Sequence, residues 1–327
     1  MMNISIRQLV RQHNEIGIIL IAILMVTLFT TTSFDKWANA YNLASIAQIT
    51  ATLGLLALGA SLVMGTGEID ISVGSTFGIG ALAYLGTVAT IGPIPAMLLA
   101  AVAGAAIGLF NGFIVTRFGV SSLLLTLSTL LVFRGVAIAL TEIEGLSFSV
   151  PYDQRSGFFY QLFGGGDILG INTGFWWLIL GLLLLMAFLY ATPGGNRLLA
   201  VGGSAESARS RGIRVTRVKV RAFVICGVLA ALAGTLEGGK LGFADGGMGR
   251  LMELQAIAAC VLGGCALLGG RVPLTGVVVG AFVLSSIQSY LVVNGVQPQW
   301  FMLLLGVIVV TAAISDRALR DWALRSR

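Results

Sequence analysis

Long apolar runs, separated by short polar or glycine-rich breaks, cover most of the chain. A helical run of about 20 apolar residues is long enough to cross the hydrocarbon core of a bilayer. Cutting the sequence at charges and at clusters of Gly, Pro and Asn predicts about ten such spans. They are Ile16–Ser33, Leu43–Met64, Val73–Ile91, Pro95–Thr116, Ser121–Thr141, Gly174–Ala191, Ala222–Gly239, Leu254–Gly269, Val272–Val293 and Pro298–Ile314. The pattern predicts an all-α polytopic membrane protein with one transmembrane domain over residues 1–327.

Composition supports this class. Hydrophobic residues make up 57% of the chain, charged residues 10%, and the mean hydropathy is +0.94. These values lie far outside those of soluble globular domains. The net charge of +6 does not predict nucleic-acid binding, because no aromatic residues interleave with the arginines.

The distribution of basic residues predicts the orientation of the spans. With ten spans and the N-terminus inside, fifteen of the 20 basic residues fall on one side and four on the other. Loops rich in Lys and Arg remain in the cytoplasm, so both termini are predicted to be cytoplasmic. The fifteen are Arg7, Arg11, Arg117, Arg197, Arg209, Arg211, Arg214, Arg217, Lys219, Arg221, Arg271, Arg317, Arg320, Arg325 and Arg327. The four are Lys36, Arg155, Lys240 and Arg250. The predicted outer side also holds the acids Asp35, Glu142, Glu144, Asp153, Asp167, Glu237, Asp245 and Glu253.

Cysteine and histidine usage excludes most familiar catalytic and metal chemistry. The three cysteines lie in apolar runs without a CxxC motif, which is typical of buried, unpaired thiols. The one histidine, His13, lies in the polar N-terminal segment, so no imidazole is available inside the membrane. The sequence therefore predicts no metal site and no catalytic site. The polar start is followed by an apolar run without a small-residue cleavage site, which predicts a retained first span.

A basic segment, residues 193–221, separates two of the predicted spans, and Glu206 is its one acid. Within it, Ser204 precedes a short stretch that ends at Gly212. A Ser N-cap, an acid in the first turn, basic residues in the last turn and a glycine after the end predict a two-turn helix. The stretch lacks an apolar stripe, so we expect it to contact another protein or to be a solvated loop that sets the topology.

A charged break, Gly65–Gly74, interrupts the apolar sequence between the second and third spans. One interpretation is that Asp70 or Ser72 caps the third span while Glu68 faces water. The other is that the two carboxylates carry an ion or a proton, as in a secondary transporter. Arg134 lies inside the fifth span, where an unpaired charge is costly, so we expect it either to snorkel or to pair with a carboxylate, and such a partner would lie on another helix.

Glycines recur every four residues in two spans, at Gly104, Gly108 and Gly112 and again at Gly276 and Gly280. Small residues at this spacing let helices approach closely in lipid, so we expect them at helix contacts. The blocks Leu53–Leu85 and Ala256–Leu284 share an order of apolar run, glycine-rich break and apolar run. Such a pattern is compatible with an internal duplication.

Several short motifs, in one order and spacing, resemble a family. They are Gly67-Glu68-Ile69-Asp70-Ile71-Ser72-Val73-Gly74-Ser75, Phe110-Asn111-Gly112, Phe133-Arg134-Gly135, Ala200-Val201-Gly202-Gly203 with Ala208 and Gly212-Ile213, and Glu253–Gly264 followed by Gly269-Gly270. Nearly the whole chain resembles the permease subunits of bacterial ABC importers for monosaccharides and related solutes. This ribose-type branch includes the autoinducer-2 permeases. One departure is Glu68, which stands where the family usually has a glycine.

The resemblance implies a transporter subunit rather than an enzyme, in the bacterial inner membrane. It implies three kinds of partner: a pair of cytoplasmic ABC ATPases, a second permease copy that is identical or homologous, and an extracytoplasmic solute-binding protein. The segment Ser204–Ile213 would match the coupling helix that contacts the ATPase, with Ser204, Glu206, Ala208, Arg209, Arg211, Gly212 and Ile213 as its residues. ATP would bind the partner subunit, since this chain has no GxxxxGK[ST] motif and no cofactor of its own.

Polar residues inside the spans are candidates for a solute pathway. Gln48, Asn111 and Gln288 either line that pathway or form buried hydrogen bonds between helices. The alternative function is an ion-coupled secondary transporter that uses Glu68 and Asp70. The sequence leaves open which sugar or other small polar solute is carried.

Overall fold

The computed structural model describes residues 15–143 and 146–325. The expectations for Arg7, Arg11, His13, Glu144 and Arg327 fall outside these residues.

Helices account for most of the described chain, which confirms the all-α prediction. The helices are α1 (Glu15–Trp37), α2 (Ala40–Gly65), α3 (Val73–Ile91), α4 (Pro93–Phe118), α5 (Ser122–Thr141), α6 (Thr173–Ala191), α7 (Pro193–Gly203), α8 (Ala205–Ser210), α9 (Val215–Leu241), α10 (Met252–Leu262), α11 (Leu274–Val293) and α12 (Pro298–Arg325).

Among the described residues, eight helices are long and apolar enough to cross a membrane, namely α1 to α6, α9 and α11. Two shorter apolar stretches, Met252–Leu262 and Pro298–Thr311, complete the ten predicted elements. Large apolar side chains on several outer helices are exposed, as Leu24 and Leu131 show at 70% and 66%. Exposed apolar surface on this scale requires lipid or another apolar partner. The chain is a polytopic membrane protein.

The eighth predicted span, Leu254–Gly269, is wrong in length. Its helix, α10, has only 11 residues, which at 1.5 Å per residue covers about half of the hydrocarbon core. The chain before it, residues 242–251, is not helical, and Gly249 and Leu251 both have positive φ angles there. Gly246 packs against α5, and Met248 and Gly249 pack against α3, so this part of the segment is buried in the bundle. Glu253 is accordingly buried in the bundle, and its position on the outer side stays a prediction.

The two ends of the bundle can be told apart by the contacts between helix termini. At one end, the Gly270 amide before α11 donates to the Gly65 carbonyl at the end of α2 (3.0 Å), and Gly202 of α7 lies against both. We call this the loop end. At the far end, Ser33 of α1 donates to Asn294, which follows α11 (3.1 Å). The placement of the loop end in the cytoplasm stays a prediction.

The centre of the bundle is formed by α2 and α9. Every residue of α2 from Thr50 to Gly65 is buried. Helix α9 packs against α2, α3 and α4, and its contact with α4 is made by glycines. A Cβ atom at Gly104 or Gly108 would collide with the backbone of Gly227 or Phe223. The predicted role of this glycine stripe in helix packing is confirmed, and Gly276 and Gly280 make similar contacts with Gly263 and Ala259.

The far-end segment between α5 and α6 is irregular, as its glycines and proline predict. It contains single helical turns and a small antiparallel hairpin, β1 (Asp167–Ile168) with β2 (Ile171–Asn172). Tyr160 donates its hydroxyl hydrogen to the Gly239 carbonyl (2.9 Å), and Arg155 donates to the Leu241 carbonyl (3.2 Å). These bonds fix the segment to the end of α9.

Candidate functional site

The break between α2 and α3 is held in place by hydroxyl groups of α5. Ser122 accepts a hydrogen bond from the Ile69 amide (3.2 Å), and Thr126 accepts one from the Ile71 amide (3.1 Å). Non-helical backbone within a membrane protein needs internal partners of this kind, since no water is available to supply them. The non-helical backbone of the break is therefore stabilised by side chains of the protein itself.

Asp70 and Ser72 of this break form a buried polar chain that ends on α4. The Asp70 carboxylate accepts from the Ser72 amide (2.9 Å) and hydroxyl (2.6 Å), and Asn111 donates its side-chain amide to the Ser72 hydroxyl (2.8 Å). Ser72 occupies the N-cap position of α3, although its own side chain makes no capping bond. Of the two residues proposed as caps, Asp70 thus binds the backbone at the helix start. Asn111 is fully buried and joins two elements.

The Glu68 side chain is not part of this hydrogen-bonded group and lies toward the start of α9. Its carboxylate forms an ion pair with the Lys219 ammonium, and both side chains are less than one fifth exposed. A charge in place of the family's usual glycine is therefore neutralised by a residue of the basic segment. A cavity of about 210 Å³ adjoins the pair, and Arg209 of α8 lies in its wall. The break and the basic segment thus share one surface.

The basic segment forms two consecutive helices. The predicted short helix is confirmed as α8, with the Ser204 hydroxyl accepting from the Ser207 amide (3.2 Å). At its other end Gly212 has a φ of 81°. The Ile213 amide reaches back to the Ala208 carbonyl (3.0 Å), which completes a glycine C-cap.

Beneath α8 lies a small apolar cluster that the sequence did not suggest. Ala208 is 3% exposed and packs with Val201 of α7 and Val215 of α9. Ala205 and Ile213 cover the edges of this cluster. The lack of an apolar stripe was therefore misleading, because a single alanine is enough to attach a two-turn helix to its neighbours. Glu206, Arg209 and Arg211 remain exposed.

Arg134 finds its partners on the segment that enters the bundle. Its guanidinium donates to the Met248 carbonyl (2.5 Å) and lies 4.0 Å from the Glu253 carboxylate. The expected carboxylate partner on another helix is present, and it belongs to α10. A charged pair that also satisfies a free carbonyl ties the middle of α5 to residues 243–253.

The three pathway candidates do not converge on one cavity. Gln48 donates to the Glu237 carboxylate of α9 (3.1 Å), while Asn111 binds Ser72. Gln288 lies elsewhere, in a far-end groove of about 420 Å³ that also contains Lys36 and Asn42. A role in lining a pathway stays a prediction for each of them, and two of the three make hydrogen bonds between elements.

Comparison with known proteins assigns the chain to a family. Residues 42–313 match the family described as "Branched-chain amino acid transport system / permease component". This range covers most of the chain, so the protein belongs to that permease family. It is a membrane permease component of a solute import system.

Two relatives match this chain over most of their length. The autoinducer 2 import system permease protein LsrC of Yersinia pseudotuberculosis serotype O:3 is 36% identical over 318 residues, which is 94% of this chain and 86% of the relative. The ribose import permease protein RbsC of Bacillus subtilis is 33% identical over 280 residues, 84% of each chain. No comparison favours an ion-coupled transporter.

The pair of Arg134 and Glu253 gives a first test of the fold. Replacing Arg134 by Met should lower the free energy of unfolding by about 3 kcal/mol or more, since it leaves the buried Glu253 carboxylate without its counter-ion and the part-buried Met248 carbonyl without its donor. The double variant R134M/E253M should recover part of this loss. Thermal unfolding in detergent measures both effects, with Arg117→Met as the control for an exposed arginine. A double variant less stable than Arg134→Met would contradict the pairing.

Asp70 gives a second test, through pH. Burial raises the pKa of its carboxyl from 3.8 to about 6, although the hydrogen bonds from Ser72 oppose the rise. The unfolded chain thus ionises at lower pH than the folded one, so stability is lost as the pH increases from about 4 to about 6. Asp70→Asn should not show this loss.

The measurement is the melting temperature of the wild type and of Asp70→Asn between pH 4 and pH 7. Over this range the free energy of unfolding of Asp70→Asn should rise relative to that of the wild type, by up to about 3 kcal/mol. Asp35→Asn, an exposed far-end change, should follow the wild-type curve. Parallel curves for the wild type and Asp70→Asn would show that the carboxyl titrates as in the unfolded chain.

Proposed function

We propose that this chain is the permease subunit of an ATP-driven importer for a monosaccharide or a similar small polar solute. The family assignment supports the import function, and the two relatives named for ribose and autoinducer 2 support the solute class. The chain covers most of both relatives, so the comparison concerns whole permeases. The receptor selects the solute, and the permease mainly gates its passage.

The working complex contains further subunits. A pair of cytoplasmic ABC ATPases binds ATP, a second permease copy completes the membrane part, and an extracytoplasmic solute-binding protein delivers the solute. The complex lies in the bacterial inner membrane, with the loop end and both termini of this chain in the cytoplasm. The exposed side of Ser204–Ile213 contacts the ATPase through Glu206 and Arg209.

One observation carries the coupling mechanism: the backbone of Gly202, at the end of α7, lies directly on two breaks. It touches the Gly65 carbonyl at the end of α2 and the Gly270 amide before α11. A push on α8 therefore reaches two membrane helices without an intervening flexible side chain. The ion pair between Glu68 and Lys219 adds a second link, from α9 to the break before α3. ATP-driven movement of α8 would repack these helices and open the pathway inward.

The first test concerns the surface of α8. The double charge reversal E206K/R209E keeps the net charge and leaves the buried Ala208 in place. In vesicles that contain the ATPase and the loaded receptor, solute uptake per ATP hydrolysed should decrease roughly tenfold, because reversed charges at an interface oppose the correct contact.

Arg117→Glu is the matched control, since Arg117 is an exposed arginine at the loop end outside the basic segment. It should retain the wild-type ratio of uptake to hydrolysis. Unchanged coupling in E206K/R209E would remove α8 from the contact with the ATPase.

The second test concerns the glycine junction and uses adjacent positions. A Cβ atom at Gly202 would collide with Gly65 and Gly270, whereas a Cβ atom at Gly203 meets no atom within 4 Å. Gly202→Ala should therefore lower receptor-stimulated transport by roughly tenfold or more, since backbone must move to make room. Gly203→Ala should transport normally.

Melting temperatures separate a transport defect from failed folding. Gly202→Ala should remain assembled with the ATPase and show altered ATP hydrolysis. Equal transport by the two alanine variants would contradict the role of the junction.

A further inference from the structure

A pocket at the loop end collects five arginines. It has a volume of about 370 Å³ and lies between α6, α7 and the start of α9. The guanidinium groups of Arg197, Arg211, Arg214, Arg217 and Arg221 line it, and all five residues are exposed.

These five charges have no anionic partner within the described parts of the chain. No acidic residue lines the pocket, and the ion pairs found among residues 15–143 and 146–325 involve Arg134 and Lys219 instead. Five positive charges around one concavity repel each other unless an anion occupies it. A guanidinium group can donate two parallel hydrogen bonds to the oxygens of one phosphate, which makes a phosphate a suitable occupant.

Part of the pocket lining is apolar and belongs to the candidate membrane-spanning helices. Phe188 of α6 and Val218 and Ile225 of α9 form this apolar wall, and both helices are candidate spans. Arg214, Arg217, Arg221 and Ile225 are spaced by three or four residues and so lie along one side of α9. The arginines therefore lie at the start of α9, and the apolar part of the helix begins within about two turns of them.

We propose that this pocket binds the phosphate headgroup of an anionic phospholipid, with an acyl chain along Phe188 and Ile225. Basic pockets between transmembrane helices, at headgroup depth, recognise anionic lipids in this way. A free phosphate would use the arginines but not the apolar wall. An acidic segment of the ATPase would approach from the water and would leave the same wall uncovered.

The proposal goes beyond the import function and depends only on the membrane location. The experiment is a titration of the purified permease with phosphatidylglycerol and, separately, phosphatidylcholine, with bound lipids counted by native mass spectrometry. The first phosphatidylglycerol should bind more tightly than phosphatidylcholine. Arg217→Gln and Arg221→Gln should each weaken it about fivefold, and R217Q/R221Q more than tenfold.

Arg117→Gln serves as the control, because it removes one exposed charge from the same end but outside the pocket. It should change the affinity less than twofold, and all variants should keep the wild-type melting temperature. Equal affinity for the two lipids, or equal losses in Arg117→Gln and Arg217→Gln, would overturn the proposal.

Two further arms separate the lipid from other anions. Millimolar inorganic phosphate should not displace phosphatidylglycerol, and displacement would identify a free phosphate site. Added ATPase should leave the lipid bound. Release of the lipid by the ATPase would show that the pocket is part of a protein interface and would likewise overturn the proposal.

Discussion

The structure depends on one constraint: backbone that leaves a helix inside the bundle must find its hydrogen-bond partners within the protein. The break before α3 takes them from Ser122 and Thr126 of α5. The segment before α10 takes one from Arg134, which donates to the Met248 carbonyl. The break before α11 bonds to the end of α2 through Gly270 and Gly65. Helix α5 thus serves two breaks, which explains why polar side chains persist on an otherwise apolar span.

The same constraint explains the mechanical character of the loop end. A break that is fixed by hydrogen bonds behaves as a rigid element, and rigid elements transmit displacement better than flexible side chains do. Gly202 contacts two such breaks through backbone alone. Glycine is needed there because any side chain would hold the segments apart. An applied movement of α7 and α8 is then shared between α2 and α11, which come from opposite halves of the sequence.

Much of this fold could be predicted from the sequence, because span length and charge act locally. The apolar runs gave eight spans nearly in place, and the signals around Ser204 and Gly212 located α8. The shortened α10 was missed, although Gly263 and Gly264 inside its apolar run could have indicated a break. The partners of Arg134 and Glu68 could not be predicted, because they lie 119 and 151 residues away along the chain. Such pairs are decided by tertiary packing.

The start of α9 shows why a basic segment next to a span need not be only an orientation signal. Lys219 lies on the side of the helix opposite Arg217 and Arg221, as their spacing at 100° per residue requires. It faces the break and neutralises Glu68, whereas the two arginines face the pocket. A signal for orientation would need only the number of charges, independent of the side on which each lies. The division of charge between two sides therefore fits two separate contacts, the ion pair with Glu68 inside the chain and the proposed anion site at the pocket.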